Sequence, residues 1–227
     1  MKSIKYNLQD IFNQITTIAQ KCGRDPKEIT LLAVSKNQSI TVVKEAISAG
    51  QNCFGENYAQ EGVDKIKILA NPDLVWHFIG RVQSNKSCLV SKYFDWCHSV
   101  NCLGLAKRLN QQRSIDKGPL NILIQINISC ENTKAGILLE DLPMLASQIN
   151  NFPHLNLRGL MAIPKKSKDD YHQRIEYQRL KTAFDQLKNN YPSIDTLSLG
   201  MSGDMETAIV FGSTILRIGT AIFGQRN

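Results

Sequence analysis

Lys36 closes the run Leu31-Leu32-Ala33-Val34-Ser35. These small and branched apolar residues read as a short buried strand, so the amine sits where an apolar floor meets solvent. Two readings fit an amine there. Desolvation lowers its pKa and leaves a larger neutral fraction able to attack a carbonyl; alternatively the stem snorkels and the ammonium reaches water. A second group with chemical potential lies near the other end of the chain. Ser202-Gly203-Asp204-Met205 reads as a helix start, with Ser202 as N-cap and the acids Asp204 and Glu206 in the first turn. Free backbone N–H groups at such a start also bind phosphate, and Gly219-Thr220 adds a close backbone approach and a hydroxyl.

Three further residues extend this set. Asn57 can orient or close over a ligand, cap the helix that follows it, or do both. Arg217 carries a permanent cation; it either faces a ligand, where it would keep a pyridine nitrogen unprotonated, or pairs with an internal carboxylate. His98 at a strand end is a candidate functional histidine, whereas His77, between apolar neighbours, reads as a satisfied core residue. The chain's 4 histidines form no HxxxH or HxxE pair, so no metal site is argued. If the fold sets the amine across from a phosphate site, the ligand is a phosphorylated aldehyde held as an imine, and pyridoxal phosphate is the candidate.

The elements that must position these residues follow from periodicity. From Ser3 to Cys22, apolar residues recur at spacings of three and four and predict an amphipathic helix. Strands are then expected at 31–35, 52–55, 75–79, 95–100, 120–128, 155–163, 196–199 and 215–218. Helical segments at 40–49, 58–69, 84–93, 102–111, 140–150, 171–191 and 204–211 separate them. Strands apolar on both faces and alternating with helices indicate a parallel sheet covered by helices. Eight such units in 227 residues favour a closed (β/α)8 TIM barrel, α/β in class, over an open sheet. No repeat or Pro/Gly/Ser-rich linker divides the chain, so residues 1–227 read as one domain with an extra N-terminal helix. In such a barrel the carboxyl ends of the strands carry the site. Lys36, Asn57, Ser202, Gly219 and Thr220 all fall there, while the opposite ends look bland.

Composition bounds the rest. A hydrophobic fraction of 42% and a charged fraction of 21% describe an ordinary globular chain. No apolar run is long enough for a membrane span, and the first residues have no apolar signal region. The 6 cysteines lack CxxC spacing and predict reduced thiols and a cytoplasmic protein. The net charge of +7 comes from dispersed basic residues. The dense cluster Lys165-Lys166-Ser167-Lys168 reads as a solvated loop, and no nucleic-acid-binding signature accompanies it.

The stretches LLAVSK (31–36), FGENYAQE (54–61), WHFIG with QSNK (76–86), LIQINIS (123–129), LRGLMAIP (157–164), DTLSLGMSGDMETAI (195–209) and RIGTAIFG (217–224) closely resemble the pyridoxal phosphate homeostasis protein family. The resemblance spans nearly the whole chain. It implies a barrel like that of fold-type III alanine racemases, with pyridoxal 5'-phosphate held as an internal aldimine of Lys36. It further implies Met201, Ser202, Gly219 and Thr220 around the phosphate, Arg217 facing the pyridine nitrogen and Asn57 beside the cofactor. Lys134 matches a lysine that often follows the family's fifth strand, where a secondary role in cofactor exchange would be open to it. Arg81-Val82 stands where relatives often have Pro-Leu, and Gly203 where many have Asp or Ala.

The function so implied is binding and delivery of pyridoxal phosphate, with effects on amino-acid and keto-acid balance and apo-enzymes as recipients. A monomer without established turnover is expected. Two alternatives stay open: a weak amino-acid racemase, and a Schiff-base aldolase that would use a barrel lysine and a phosphate site without the cofactor. Racemisation needs acid/base groups on both faces of Cα. In alanine racemases the second is a tyrosine supplied by a second domain of the partner subunit, and here the barrel takes up the whole length.

Overall fold

A computed structural model describes residues 3–131, 134–165 and 170–225. The chain begins with α1 (Ile4–Lys21), then alternates β1 (Thr30–Val34), α2 (Ile40–Ser48), β2 (Cys53–Glu56), α3 (Ala59–Leu69), β3 (Val75–Phe78), α4 (Ser87–Tyr93), β4 (Trp96–Val100) and α5 (Leu103–Gln112). It continues with β5 (Leu120–Ile126), α6 (Leu142–Ile149), β6 (Leu155–Ala162), α7 (Asp170–Asn190), β7 (Thr196–Ser198), α8 (Met205–Val210), β8 (Ile215–Ile218) and α9 (Thr220–Phe223). All strand pairs are parallel, and β8 returns to β1 to close the barrel in the order β1 to β8. The expected fold class is the observed one.

The strands are buried on both faces. Residues such as Phe54, Ile122, Ile124 and Leu160 face outward into one continuous apolar layer beneath the helices. Leu32, Leu123, Met161 and Ile215 are buried outside that layer and belong to the barrel interior. The helices follow the same logic. Ser3 Oγ accepts from Tyr6 N–H at 3.2 Å and caps α1, whose Leu8, Ile11 and Ile15 face inward at helical spacing. Burying each of these three contributes on the order of 1.5–3 kcal/mol. The N-terminal helix also fastens the end of the chain: Asn7 Nδ2 donates to Ile222 O at 2.8 Å in α9. Just past α1, Arg24 Nη1 donates to Ile209 O and Ser213 O, covering carbonyls at the C-terminal end of α8.

Several expectations shift locally. The helix expected from Ser84 starts as a 3-10 turn over Ser84–Lys86 before α4. β5 ends at Ile126, because the Asn127 side chain folds back to bond the backbone of Glu131. The four-residue α9 was not expected, being too short to show a helical period. Of the basic cluster at 165–168, only Lys165 lies within the described residues, and its N–H donates to Ser129 Oγ. No helix among the described residues is long and apolar enough to cross a membrane. All 6 cysteines are free thiols.

Candidate functional site

Lys36, Asn57, the Met201–Gly203 turn and Gly219-Thr220 follow β1, β2, β7 and β8 respectively. These four strands are consecutive neighbours in the closed sheet, so the residues share one side of the rim. Register places them further: Leu32 lies opposite Arg217 across β1 and β8. Lys36 comes two residues after the end of β1, so it stands above the level of Arg217 toward the rim. Asn57 is held close by Gly80, where a Cβ would come within 2.1 Å of Asn57 O. Any side chain at position 80 would push this part of the rim outward.

A buried ionic cluster supports Lys36 on both sides. Lys65 Nζ, on the inner face of α3, donates to Ser35 O at 2.6 Å, Glu56 Oε1 at 2.7 Å and Glu61 Oε1 at 2.7 Å. Ser35 Oγ donates to the same Glu56 Oε1 at 2.6 Å, and Asn37 N–H donates to Glu61 Oε1 at 2.6 Å. Both neighbours of Lys36 are thus pinned to one ammonium through two carboxylates. Glu56 and Ser35 are fully buried. Burial pulls the Glu56 carboxyl above its ordinary range, and Lys65 and Ser35 pull it partly back. Sequence reasoning missed Lys65. Its one signal is the Glu61–Lys65 spacing of four on a helix face that also carries the buried Gly62 and Val63.

The reading of Asn57 as a helix cap is corrected. Tyr58 occupies the N-cap position of α3 and no side chain caps it. Asn57 Oδ1 is instead buried with no hydrogen-bond partner among the described residues. A buried carbonyl oxygen left that way is costly unless a ligand or water donates to it.

Ser202 as an N-cap is corrected too. α8 begins at Met205 with Asp204 in the cap position, and Ser202 lies exposed in the turn before it. Asp204 fixes that turn, accepting from Met201 N–H at 2.6 Å through Oδ1 and from Tyr177 O–H at 2.6 Å through Oδ2. Among the described residues, neither the Ser202 nor the Gly203 N–H finds a backbone acceptor. The first N–H groups of α9, at Thr220 and Ala221, have no acceptor within so short a helix. Ser202, Ile218 and Ala221 line one cavity of about 100 Å³, so the two turns are neighbours. A methyl group added at Gly203 would meet open space, and the backbone there has no positive φ. Gly203→Ala is accordingly expected to raise stability by about 0.4–1 kcal/mol, read from urea unfolding.

Arg217 is 5% exposed and points into the barrel. Its Nη1 donates to Ser198 O at 2.6 Å and Ser198 Oγ at 2.7 Å, and its Nη2 donates to Ala162 O at 2.9 Å. Neutral oxygens hold it, so the internal-carboxylate reading is replaced. Three of its five N–H groups are engaged in these bonds, leaving Nε–H and one Nη2–H. Burial lowers its pKa to about 10, which still leaves a cation at neutral pH.

His98 is also corrected. It lies within β4, fully buried, bonded to His77 and Ser198 rather than facing the rim. His77 is the core histidine expected and stacks on Trp96 at 5.2 Å. Lys134 reaches from the loop after β5 to Ile163 O at 3.3 Å, beside Glu131 at 3.4 Å. Arg81 is exposed in the loop after β3. The amino-terminal face is less bland than expected: Arg158 pairs with Asp195, covers the Trp96 ring at 4.9 Å, and helps line a cavity of about 320 Å³.

Residues 6–227 match the family "alanine racemase, N-terminal domain". The pyridoxal phosphate homeostasis protein of Escherichia coli K12 is 54% identical over 230 residues, covering 100% of this chain and 98% of its own length. PipY of Synechococcus elongatus PCC7942, solved with PLP bound, superposes with a TM-score of 0.81 at 31% identity, covering 98% of this chain and 100% of that one. An alanine racemase of Clostridium difficile 630 shares the fold alone, with a TM-score of 0.79 at 14% identity. The match covers 98% of this chain and 56% of the racemase.

Proposed function

This chain belongs to the pyridoxal phosphate homeostasis protein family, and from that membership we propose that it holds pyridoxal 5'-phosphate covalently, as an imine of Lys36, and delivers it to apo-enzymes. The observation that carries the reading is the set of uncommitted polar groups on or after β2, β7 and β8, the strands that flank β1 and its Lys36. Among the described residues, Asn57 has a buried carbonyl oxygen without a donor, the turns at Ser202 and Thr220 have N–H groups without acceptors, and Arg217 has two N–H groups to offer. These groups fit a ligand with a phosphate at one end and a heteroaromatic ring at the other. Ser202, Gly219 and Thr220 would hold the phosphate, with Met201 packed beside them. Asn57 would lie along the ring.

When bound, the cofactor supplies an electron-withdrawing ring able to stabilise negative charge on an attached carbon. Arg217 limits that chemistry. A guanidinium facing the ring nitrogen keeps its own protons, so the nitrogen stays unprotonated and the ring is a weak electron sink. This favours storage and release over turnover, in a cytoplasmic monomer whose cofactor supply affects amino-acid and keto-acid balance.

The test is spectroscopic. Purified protein incubated with pyridoxal phosphate should gain a visible absorption band that Lys36→Ala abolishes while still folding cooperatively. Mixing the loaded protein with an apo-enzyme should restore that enzyme's activity. A band that survives in Lys36→Ala would overturn the covalent assignment. Exchange of the α-proton of an amino acid faster than free cofactor achieves would favour the enzyme reading instead.

A further inference from the structure

A line of buried polar side chains crosses the barrel interior from Arg217 toward the amino-terminal face. Arg217 Nη1 donates to Ser198 Oγ at 2.7 Å. Ser198 Oγ lies 3.1 Å from His98 Nδ1, and His98 Nε2 lies 2.9 Å from His77 Nδ1. Ser198 and His98 are fully buried and His77 is 2% exposed. Desolvation holds His77 down to about 3 and His98 well below the usual imidazole range, so each ring carries a single N–H at neutral pH.

Counting protons leaves two arrangements. In the first, His77 donates from Nδ1 and His98 must donate from Nδ1 to Ser198. Ser198 Oγ then accepts from both Arg217 and His98, and its own O–H is stranded: among the described residues no other acceptor is within reach. In the second, Arg217 donates to Ser198, Ser198 O–H to His98 Nδ1, and His98 Nε2–H to His77 Nδ1. His77 Nε2–H then faces the cavity at the amino-terminal face, which His77 lines with Trp96 and Arg158. Only the second strands no donor between Arg217 and His77, and it leaves the His77 Nε2–H facing that cavity.

We propose that Ser198 and His98 are positioning residues for Arg217, acting through a one-way hydrogen-bond chain, Arg217→Ser198→His98→His77, that fixes both histidines as Nε2–H tautomers. Each link donates away from Arg217, so the lone pairs all point back toward the guanidinium and polarise one another. This makes Ser198 Oγ a stronger acceptor and sets the direction of the two N–H groups Arg217 has left. That these groups meet a cofactor ring rests on the functional reading above; the chain itself does not.

Two measurements separate the claims. Histidine side-chain 1H–15N spectra of the protein without cofactor, assigned with His77→Gln and His98→Gln, should show protonated Nε2 and bare Nδ1 in both rings. A protonated Nδ1 on His98 overturns the chain. Ser198→Ala should then move the His98 Nδ1 resonance toward that of an unbonded nitrogen. It should also shift the visible band and weaken pyridoxal phosphate binding about tenfold, the scale of one hydrogen bond to a charged group. His98→Gln, whose amide both donates and accepts, should bind near the wild-type level, and His98→Leu should lose affinity as Ser198→Ala does. Unchanged binding and band in Ser198→Ala and His98→Leu, with tautomers as assigned, overturn the positioning role. A wild-type protein that takes up no pyridoxal phosphate overturns the functional reading and the ligand assigned to Arg217, while the spectra still decide the chain.

Discussion

Lys65→Met is expected to destabilise the fold by about 3–5 kcal/mol, because it leaves the charge of Glu56 buried and unpaired. Glu56 is fully buried, and Lys65 is the cation that pairs with it in the cluster beneath Lys36. The loss should depend on pH in a defined direction. Burial already pulls the Glu56 carboxyl upward against Lys65. Without the ammonium it rises further, so the folded variant binds a proton that the unfolded chain does not hold near neutrality. Stability of the variant should then increase as pH falls toward the unfolded carboxyl range, narrowing the gap to wild type. Urea unfolding at pH 7.5 and 5.5 measures this, and Glu56→Gln in the Lys65→Met background should recover much of the loss at pH 7.5. Ser35 O also loses one of its two donors, keeping only the Gln38 N–H, so cofactor uptake at Lys36 should weaken as well. A loss below about 1 kcal/mol at pH 7.5 would mean that the pair is not buried as a charged pair.

The second large effect comes from the two interior histidines. Both are held neutral by burial, His77 to about 3 and His98 well below its ordinary value. The unfolded chain takes up protons on both rings below about pH 6.5, and the folded chain does not. Their contribution is therefore intact above pH 6.5 and lost as pH falls toward the folded values. Two such rings give a slope of about 2.7 kcal/mol per pH unit, and about 4 kcal/mol lost by pH 5. Trp96 stacks on His77 and Arg217 lies beside His98, so among the described residues no carboxylate abuts the pair, although Glu28 and Asp195 share the cavity beyond His77. Denaturant unfolding from pH 7.5 to 5 reads the slope, and a double His77→Gln, His98→Gln variant should flatten it. A wild-type slope that is already flat would show that the rings accept protons in the folded state.

Hydrophobic periodicity was enough to place every strand of the barrel within about two residues, because strands buried on both faces are nearly uninterrupted apolar runs. It also put Lys36, Asn57, Ser202 and Thr220 at the rim, since that position follows from strand ends alone. What periodicity does not carry is pairing across the sheet. Ser198 and His98 are 100 residues apart and meet only through barrel closure. Lys65 looked like any charged helix residue, because the acids that neutralise it come partly from another element. The Ser202 cap failed for a local reason. Asp204 accepts from the Met201 N–H and tightens the turn, so the helix starts at Met205, later than a Ser cap would place it.

The bonds that tie the first helix to the last have a consequence for the order of events during synthesis. β1 needs β8 to complete its pairing, and α1 is tied to α9 through Asn7 while Arg24, just past α1, holds the end of α8. Contacts so distant along the chain form slowly, because a long loop must close before they stabilise anything. On the ribosome, Leu8, Ile11 and Ile15 would lack the cover of α8 and α9 until the segment from Met205 to Phe223 has emerged. Barrel closure therefore waits for β8 and α9, and until then the inward face of the first helix is the apolar surface most open to wrong contacts.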